Sequence, residues 1–173
     1  MNRTKRILLG VGAAIWAVTP ILADDAAWDF SNNDQQKWVA SRNLAAEANG
    51  GCLSLDITGT DSSIGNNAVS FDPKKLTVFQ LRYRASGLPP ETTGQLFFTG
   101  DGAPDFNGDN YWFIPSLVSD GQWHDIKLSA AVNIKTGLGA WTGFNRITKL
   151  RLDMVDQFPG KIEIKYIKFT AAE

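Results

Sequence analysis

Charged and aromatic side chains alternate with apolar residues in three segments of this chain. Seven of them point away from their apolar neighbours: Arg82, Arg84, Trp123, Asp125, Lys127, Arg151 and Asp153. Because successive residues of a strand face opposite sides, these side chains form one polar face if their strands share a sheet. On such a face an indole can pack on a pyranose ring while Arg and Asp hydrogen-bond its hydroxyls or an acidic group. The alternative is a ladder of cross-strand charge pairs that only solvates the sheet.

A further aromatic candidate is Trp141, which follows the glycine-rich segment 137–140. A tryptophan in a connection can serve as a platform for a sugar ring or as a plug at the end of a sandwich, and the sequence favours neither. Trp112 lies between Tyr111 and Phe113 in an apolar run, so we expect it in the core. Trp28 is also predicted to be a core residue, as is Trp38.

A polar loop offers oxygen ligands at alternate positions. Asp105, Asn107 and Asp109 have the spacing found at the start of calcium loops. The motif is incomplete, because Asn110 stands where the loop would have glycine and Ser116 where it would have a bidentate acid. Calcium is therefore a candidate cofactor, and a solvated turn rich in Asp and Asn is the alternative.

No catalytic residue is assigned. His124 is the only histidine, and its parity places it with Ile126 and Leu128 on the apolar side, which predicts a partly buried structural role. No Ser or Cys has the context of an activated nucleophile. Carboxylates are plentiful, and a glycosidase needs only two, about 5 to 10 Å apart. The sequence cannot place such a pair, so this option stays open.

The N-terminus is typical of a secretory signal peptide. Arg3, Lys5 and Arg6 precede an apolar run over residues 7–18, and Ala23 supplies a small residue for cleavage. The run is shorter than the roughly 20 residues of a membrane span. We expect a signal peptide over residues 1–23, a mature domain over 24–173, no membrane span, and a secreted or periplasmic location.

Charge and size limit the partners of the mature chain. Without residues 1–23 it has 14 basic and 18 acidic residues, a net charge of −4, which argues against a nucleic-acid partner. About 150 residues suit one domain with a sizeable core. Cys52 is the only cysteine, so an intrachain disulfide is excluded and a strand thiol is predicted.

Period-2 alternation predicts an all-β fold, an antiparallel β-sandwich of about eight strands. The segment 34–49 is ambiguous, with helix formers in an all-β context, and we expect it to be extended with a helical turn as the alternative. The predicted strands cover residues 27–31, 52–58, 76–85, 95–99, 111–117, 122–129, 147–154 and 161–170.

Short motifs over nearly the whole mature chain resemble the galactose-binding-like jelly rolls that serve as carbohydrate-binding modules. The clearest are Asp120-Gly121-Gln122-Trp123-His124, Trp141-Thr142-Gly143, Leu150-Arg151-Leu152-Asp153 and the closing segment Gly160 to Ile167. The resemblance implies a jelly roll and a carbohydrate ligand, but each motif is short and fold alone does not give function.

Three functions are therefore weighed. The first is a secreted, non-catalytic domain that binds a polysaccharide or glycan through the Arg/Trp/Asp face. Arg82, Arg84 and Arg151 would favour an acidic glycan, unless they are paired internally. The second is a small carbohydrate-active enzyme, a lyase or hydrolase, on a jelly roll. The third is a structural or adhesion module with a protein partner, which would expose a large apolar patch.

Overall fold

The computed structural model describes residues 25–155 and 159–172, and the signal-peptide prediction lies outside these residues. Within them the chain forms eleven strands, a 3-10 turn at Phe30–Asn32 and two one-turn helices. The strands are β1 Ala26–Asp29, β2 Val39–Arg42, β3 Leu44–Asn49, β4 Cys52–Ile57, β5 Ser62–Asn66, β6 Val78–Ser86, β7 Gly94–Gly100, β8 Tyr111–Ile114, β9 His124–Ser129, β10 Ile147–Val155 and β11 Gly160–Thr170. The helices are α1 Ala130–Asn133 and α2 Leu138–Thr142.

The strands form two antiparallel sheets packed as a sandwich, which confirms the predicted fold class. The six-stranded sheet has the order β3-β4-β11-β6-β9, and β1 pairs with β11 beside that path. The five-stranded sheet has the order β2-β5-β10-β7-β8. In each, the longest strands, β11 and β10, lie in the interior, so the inward side chains of both are buried.

Two local connections decide how the sandwich is joined. β2 and β3 are consecutive but belong to different sheets, and the single residue between them, Asn43, has a φ of +47°. Asparagine tolerates this left-handed conformation better than most residues, which allows the abrupt change of sheet. At the other side, Ala26 of β1 lies opposite Phe169 of β11. The first and last strands are therefore neighbours.

The core contains a cluster of aromatic rings between the sheets. Trp141 stacks on Phe169 with centroids 5.3 Å apart and meets Trp112 edge-on at 5.1 Å and Phe98 at 4.8 Å. Edge-to-face and offset contacts of this kind add stability beyond the burial of apolar area. Trp112 and Trp38 are fully buried, and Trp28 packs half-buried against the core, as expected.

The predicted extended conformation of residues 34–49 is confirmed over β2 and β3. One further strand, β5, was not predicted. Its sequence Ser-Ser-Ile-Gly-Asn has only one large apolar residue. Two of its inward side chains are polar, and that of Asn66 hydrogen-bonds the backbone of residues 36 and 68. Neither helix in the described ranges is long or apolar enough to cross a membrane.

Candidate functional site

The predicted residues on β6 and β9 share the outer surface of the six-stranded sheet. We call this surface the six-strand face, and its members are Arg82, Arg84, Trp123, Asp125, Glu163 and Tyr166. Arg82 lies opposite Asp125 in the register, and its Nη1 donates to Asp125 Oδ2 at 2.8 Å. The hydroxyl of Tyr166 donates to the other oxygen of Asp125 at 2.9 Å. The Asp125 carboxylate of the edge strand β9 is thus held by side chains of β6, its neighbour, and of β11, the next strand of the sheet.

Arg84 is engaged in the same way one step along β6. Its Nε and Nη2 donate to the two oxygens of Glu163 at 2.5 and 3.0 Å. Its Cζ lies 4.9 Å from the ring centroid of Trp123, so the guanidinium also covers part of the indole. On this face the predicted arginines bind carboxylates of the protein itself, which is the charge-ladder alternative.

The electrostatics of this face follow from these pairs. The hydrogen bonds from Arg84 hold the pKa of Glu163 below its usual value, despite the opposing effect of burial. The same pair raises the pKa of Arg84. Burial raises the pKa of the Tyr166 hydroxyl, and its bond to Asp125 adds to that shift.

Arg151 and Asp153 do not join this face. Their strand, β10, belongs to the five-stranded sheet, so the single face that required all these strands to share a sheet does not form. Alternation correctly placed every one of these side chains on the solvent side of its own strand. It could not show that β10 pairs with β5 and β7 rather than with β6 or β11.

The outer surface of the five-stranded sheet carries two rows of side chains that run across the strands. We call it the five-strand face. In one row the register aligns Tyr111, Phe97, Arg151, Gly65 and Val39. In the other row it aligns Phe113, Gln95, Asp153 and Ser63. An aromatic and cationic row thus runs beside a mainly polar one.

Arg151 is fixed at the centre of this face. Its Cζ lies 4.5 Å from the ring centroid of Phe97 and 5.3 Å from that of Phe106 in the adjacent loop. Its Nε and Nη2 donate to the two oxygens of Asp153 at 2.9 and 2.8 Å. A guanidinium has five N–H groups, so this pair leaves donors for a ligand. The Arg151 side chain is 33% exposed and that of Asp153 is 13% exposed.

Two features make this face accessible to a flat ligand. Phe113 is 41% exposed although it lies on a strand. Gly65 has no side chain, and a Cβ placed there would meet only the backbone oxygen of Leu150 at 3.5 Å. In the register Gly65 lies between Arg151 and Val39, which is 63% exposed on the edge strand β2, and we call the gap left by the missing side chain of Gly65 the trough.

Trp141 lies away from both faces. Its indole is fully buried, and Nε1 donates to the backbone oxygen of Leu76 at 2.8 Å. Of the two roles considered for this residue, the geometry agrees with the plug, and we leave Trp141 out of the ligand site proposed below. The glycine-rich segment before it suggested a loop, but residues 138–142 form α2 and turn the ring inward.

In the loop with Asp105, Asn107 and Asp109, the first two side chains bond to the loop's own backbone and the third to a lysine. Asp105 Oδ1 accepts from the N–H of Phe106, and Asn107 Oδ1 accepts from the N–H of Asp109. Asp109 forms an ion pair with Lys135 at 3.1 Å, which raises the pKa of that lysine. The described residues hold no group of three or more His, Cys, Asp or Glu side chains with metal-site geometry.

His124 and Cys52 occupy structural positions. His124 packs beside Tyr83 with ring centroids 5.8 Å apart, and its Nε2 lies 2.8 Å from Asp120 Oδ1. Burial raises the pKa of the Cys52 thiol, and the Glu163 carboxylate raises it further. A thiol with a raised pKa is a poor nucleophile at neutral pH.

Sequence reasoning missed several residues of the five-strand face. Phe97 and Phe113 occupy outward positions of β7 and β8, where a polar residue is usual. An aromatic residue at the solvent parity of a strand was therefore an available signal. Gly65 could not be found in this way, because the polar sequence of β5 does not alternate recognisably.

Comparison with solved structures places this fold among carbohydrate-binding modules. A family 29 carbohydrate-binding module matches with a TM-score of 0.53 and 8% identity, covering 84% of this chain and 88% of that one. A mutant family 29 module complexed with mannohexaose has a TM-score of 0.55, 7% identity, and coverage of 84% and 89%. A low-affinity xylan-binding module of family 86 from Roseburia intestinalis has a TM-score of 0.52, 7% identity, and coverage of 86% and 96%.

No protein-family model matches the sequence, and no curated protein is significantly similar to it. Identities of 7 to 8% establish similarity of fold alone. The predicted resemblance is thereby confirmed at the level of architecture: the chain has the jelly-roll β-sandwich fold of carbohydrate-binding modules.

Proposed function

We propose that this protein is a secreted, non-catalytic domain that binds a polysaccharide chain on the five-strand face. The observation that carries the proposal is the fixed guanidinium of Arg151 between Phe97 and Phe106, beside the Gly65 trough. A preorganised donor beside the partly buried ring of Phe106 suits a sugar, since the guanidinium can bind hydroxyls while the ring contacts the apolar face of the pyranose.

The dimensions of the face fit a chain rather than a single sugar. Five strands spaced about 4.8 Å apart span roughly 19 Å, about the length of four pyranose units. The row of Phe113, Gln95, Asp153 and Ser63 runs in this direction. Phe113 is exposed and Gln95 is partly exposed, whereas Asp153 is bonded to Arg151 and the buried Ser63 to Ser41. A polysaccharide lying across the strands would meet these groups in succession.

The charges favour an uncharged glycan. Arg82, Arg84 and Arg151, which suggested an acidic ligand, each bind a carboxylate of the protein. Because Asp153 already neutralises Arg151, an acidic sugar would gain little net attraction there, whereas a neutral sugar needs only the remaining N–H groups. Solved neighbours carry mannohexaose or cellulohexaose, and another binds xylan, all of which are neutral glycans or glycan chains.

Affinity electrophoresis tests the proposal. The purified protein is run in gels containing glucomannan, hydroxyethylcellulose, xylan, alginate or polygalacturonate, with and without a calcium chelator. We expect retardation by a neutral polysaccharide that persists without calcium. Retardation only by the acidic polymers would contradict the neutral assignment. If no polymer retards the protein, the result would favour an adhesion module with a protein partner. Release of new reducing ends would favour a carbohydrate-active enzyme.

A pair of outward-facing aromatic residues, the exposed Phe113 and the partly buried Trp123, tells the two faces apart. Phe113→Ala removes the exposed ring of the five-strand face, and Trp123→Ala removes the indole of the six-strand face. Because neither ring lies in the aromatic cluster of the core, both variants should fold. We expect Phe113→Ala to weaken retardation about tenfold and Trp123→Ala to leave it unchanged. The reverse result would assign the ligand to the six-strand face.

A further inference from the structure

A cleft lies at the edge of the sandwich, before the first residue of β2. It has a volume of about 480 Å³ and is lined by Trp28, Asp34, Gln36, Lys37, Asn66 and Ala68. One aromatic ring, a carboxylate, an ammonium group and two amides therefore surround one opening. The volume falls within the roughly 300 to 1,000 Å³ of ligand sites, and the lining joins one aromatic ring to several polar groups.

Trp28 is held in place from inside the protein. Its ring meets Trp38 edge-on with centroids 5.7 Å apart, and Phe169 edge-on at 6.4 Å. The residue remains half-exposed because β1 lies at the end of the sandwich beside β11. The indole thus presents a fixed apolar surface to the cleft.

The polar residues of the cleft lie on a constrained turn. Gln36 and Lys37 are consecutive non-glycine residues with φ of +49° and +67°, a conformation that L-residues adopt at a cost. Asp34 Oδ1 accepts from the N–H of Gln36 at 2.8 Å, and the buried Asn66 side chain donates to the Gln36 carbonyl at 3.0 Å. These bonds hold the strained backbone, and Gln36 Nε2 donates to the backbone oxygen of Asp29, which leaves the Gln36 Oε1 as its acceptor for a ligand.

The cleft continues toward the five-strand face. A neighbouring depression of about 360 Å³ is lined by Val39, Ser41 and Gly65 together with Lys37 and Ala68. Lys37 and Ala68 are common to both linings, and Gly65 is the floor of the trough beside Arg151. A ligand that leaves the trough over β2 therefore reaches the Trp28 cleft without crossing another element.

We propose that the Trp28 cleft is an end subsite for the same polysaccharide chain, and that it takes one or two further neutral sugar units. This inference rests on the proposed function of the five-strand face. Trp28 supplies a ring for a pyranose, and Asp34, Gln36 and Lys37 supply hydroxyl partners of both polarities. Lys37 has no ion-pair partner within residues 25–155 and 159–172, so its ammonium group is available to a ligand.

Titration calorimetry with manno- and cello-oligosaccharides of three to eight units tests this subsite. For the wild-type protein we expect affinity to rise with length to about six units, the span of the face and the cleft together. Lys37→Gly removes the side chain and relieves the positive φ, so it should fold at least as well as the wild type. Lys161→Ala, an exposed lysine of the six-stranded sheet, is the matched control.

We expect Lys37→Gly to weaken hexaose binding about fivefold and to leave triose and tetraose binding unchanged. The indole N–H resonance of Trp28, assigned by its loss in Trp28→Phe, should shift with the hexaose and not with the triose. Equal affinity of the variant and the wild type for the hexaose, or a static Trp28 resonance, would overturn the subsite alone. Failure of every oligosaccharide to bind the wild type would overturn the proposed function with it.

Discussion

The two outer faces of the sandwich use similar residues in opposite ways. On the six-strand face, Arg84 reaches across the strands to Glu163, and Arg82 reaches Asp125. On the five-strand face, Arg151 pairs with Asp153 of its own strand and lies between two aromatic rings beside a residue without a side chain. The pairs of the six-strand face join neighbouring strands. The Arg151–Asp153 pair lies within β10 and leaves the surface of β5 at Gly65 uncovered. An arginine on a sheet therefore indicates a ligand only when its partners leave space beside it.

Of the substitutions considered, one that fills the trough should change the affinity for polysaccharide most, while a matching substitution on the six-strand face should not change it. Gly65→Tyr places a ring above the sheet beside Arg151. The backbone tolerates it, because the φ of Gly65 is not positive and a Cβ there makes only an ordinary contact with the Leu150 backbone oxygen at 3.5 Å. We expect retardation by the bound polysaccharide to be lost, at least about thirtyfold in affinity, or roughly 2 kcal/mol.

The control for this variant is Ser86→Tyr, which adds the same ring at an exposed, outward position of β6. Its affinity should equal that of the wild type. Retained binding in Gly65→Tyr, with an unchanged melting temperature, would remove the trough from the site and weaken the contrast between the faces.

Removing one arginine from each face should have an effect of intermediate size on polysaccharide binding. Arg151→Ala should weaken polysaccharide binding about tenfold, because hydrogen bonds from a charged group contribute about 1.5 kcal/mol or more. Arg84→Ala should leave binding unchanged and lower the free energy of unfolding by less than about 1 kcal/mol, since this pair is partly exposed. Calorimetry and urea unfolding measure the two quantities on both variants. Equal effects on binding would mean that both faces contact the ligand.

The smallest effect concerns the acid stability of the six-strand face. Because Arg84 holds the pKa of Glu163 below its unfolded value, this pair stabilises the fold above the unfolded pKa and loses that contribution as pH falls through the folded pKa. The free energy of unfolding should fall less steeply between about pH 5 and pH 3 in Glu163→Gln than in the wild type. Some slope remains, since the pKa values of Asp29 and Asp101 are also lowered by hydrogen bonds. Identical slopes would show that the pair contributes nothing to stability.

The strands could be predicted to a greater extent than the site. Alternation in β6, β9, β10 and β11 predicted both the strands and the side of each that is buried. β5 escaped because its inward Asn66 is satisfied by tertiary hydrogen bonds, which leave no trace in hydrophobic periodicity. The predicted site residues lie on two different sheets. The sequence pattern could not show this, because strand pairing depends on contacts between residues far apart in the chain. Arg82 and Asp125 lie opposite each other in the six-stranded sheet, whereas Arg151 belongs to the other sheet.

The pairing of the first and last strands has a mechanical consequence. Ala26 lies opposite Phe169 and Asp29 opposite Tyr166, so the two ends of the described chain leave the sheet on the same side. A force that pulls these ends apart loads the β1–β11 hydrogen bonds one after another, as in opening a zipper, rather than all at once in shear. Such a load would displace Trp28 while the Arg151 region, on the opposite sheet, is still intact. Tension on the chain would therefore remove the proposed Trp28 subsite before it disturbed the proposed binding surface around Arg151.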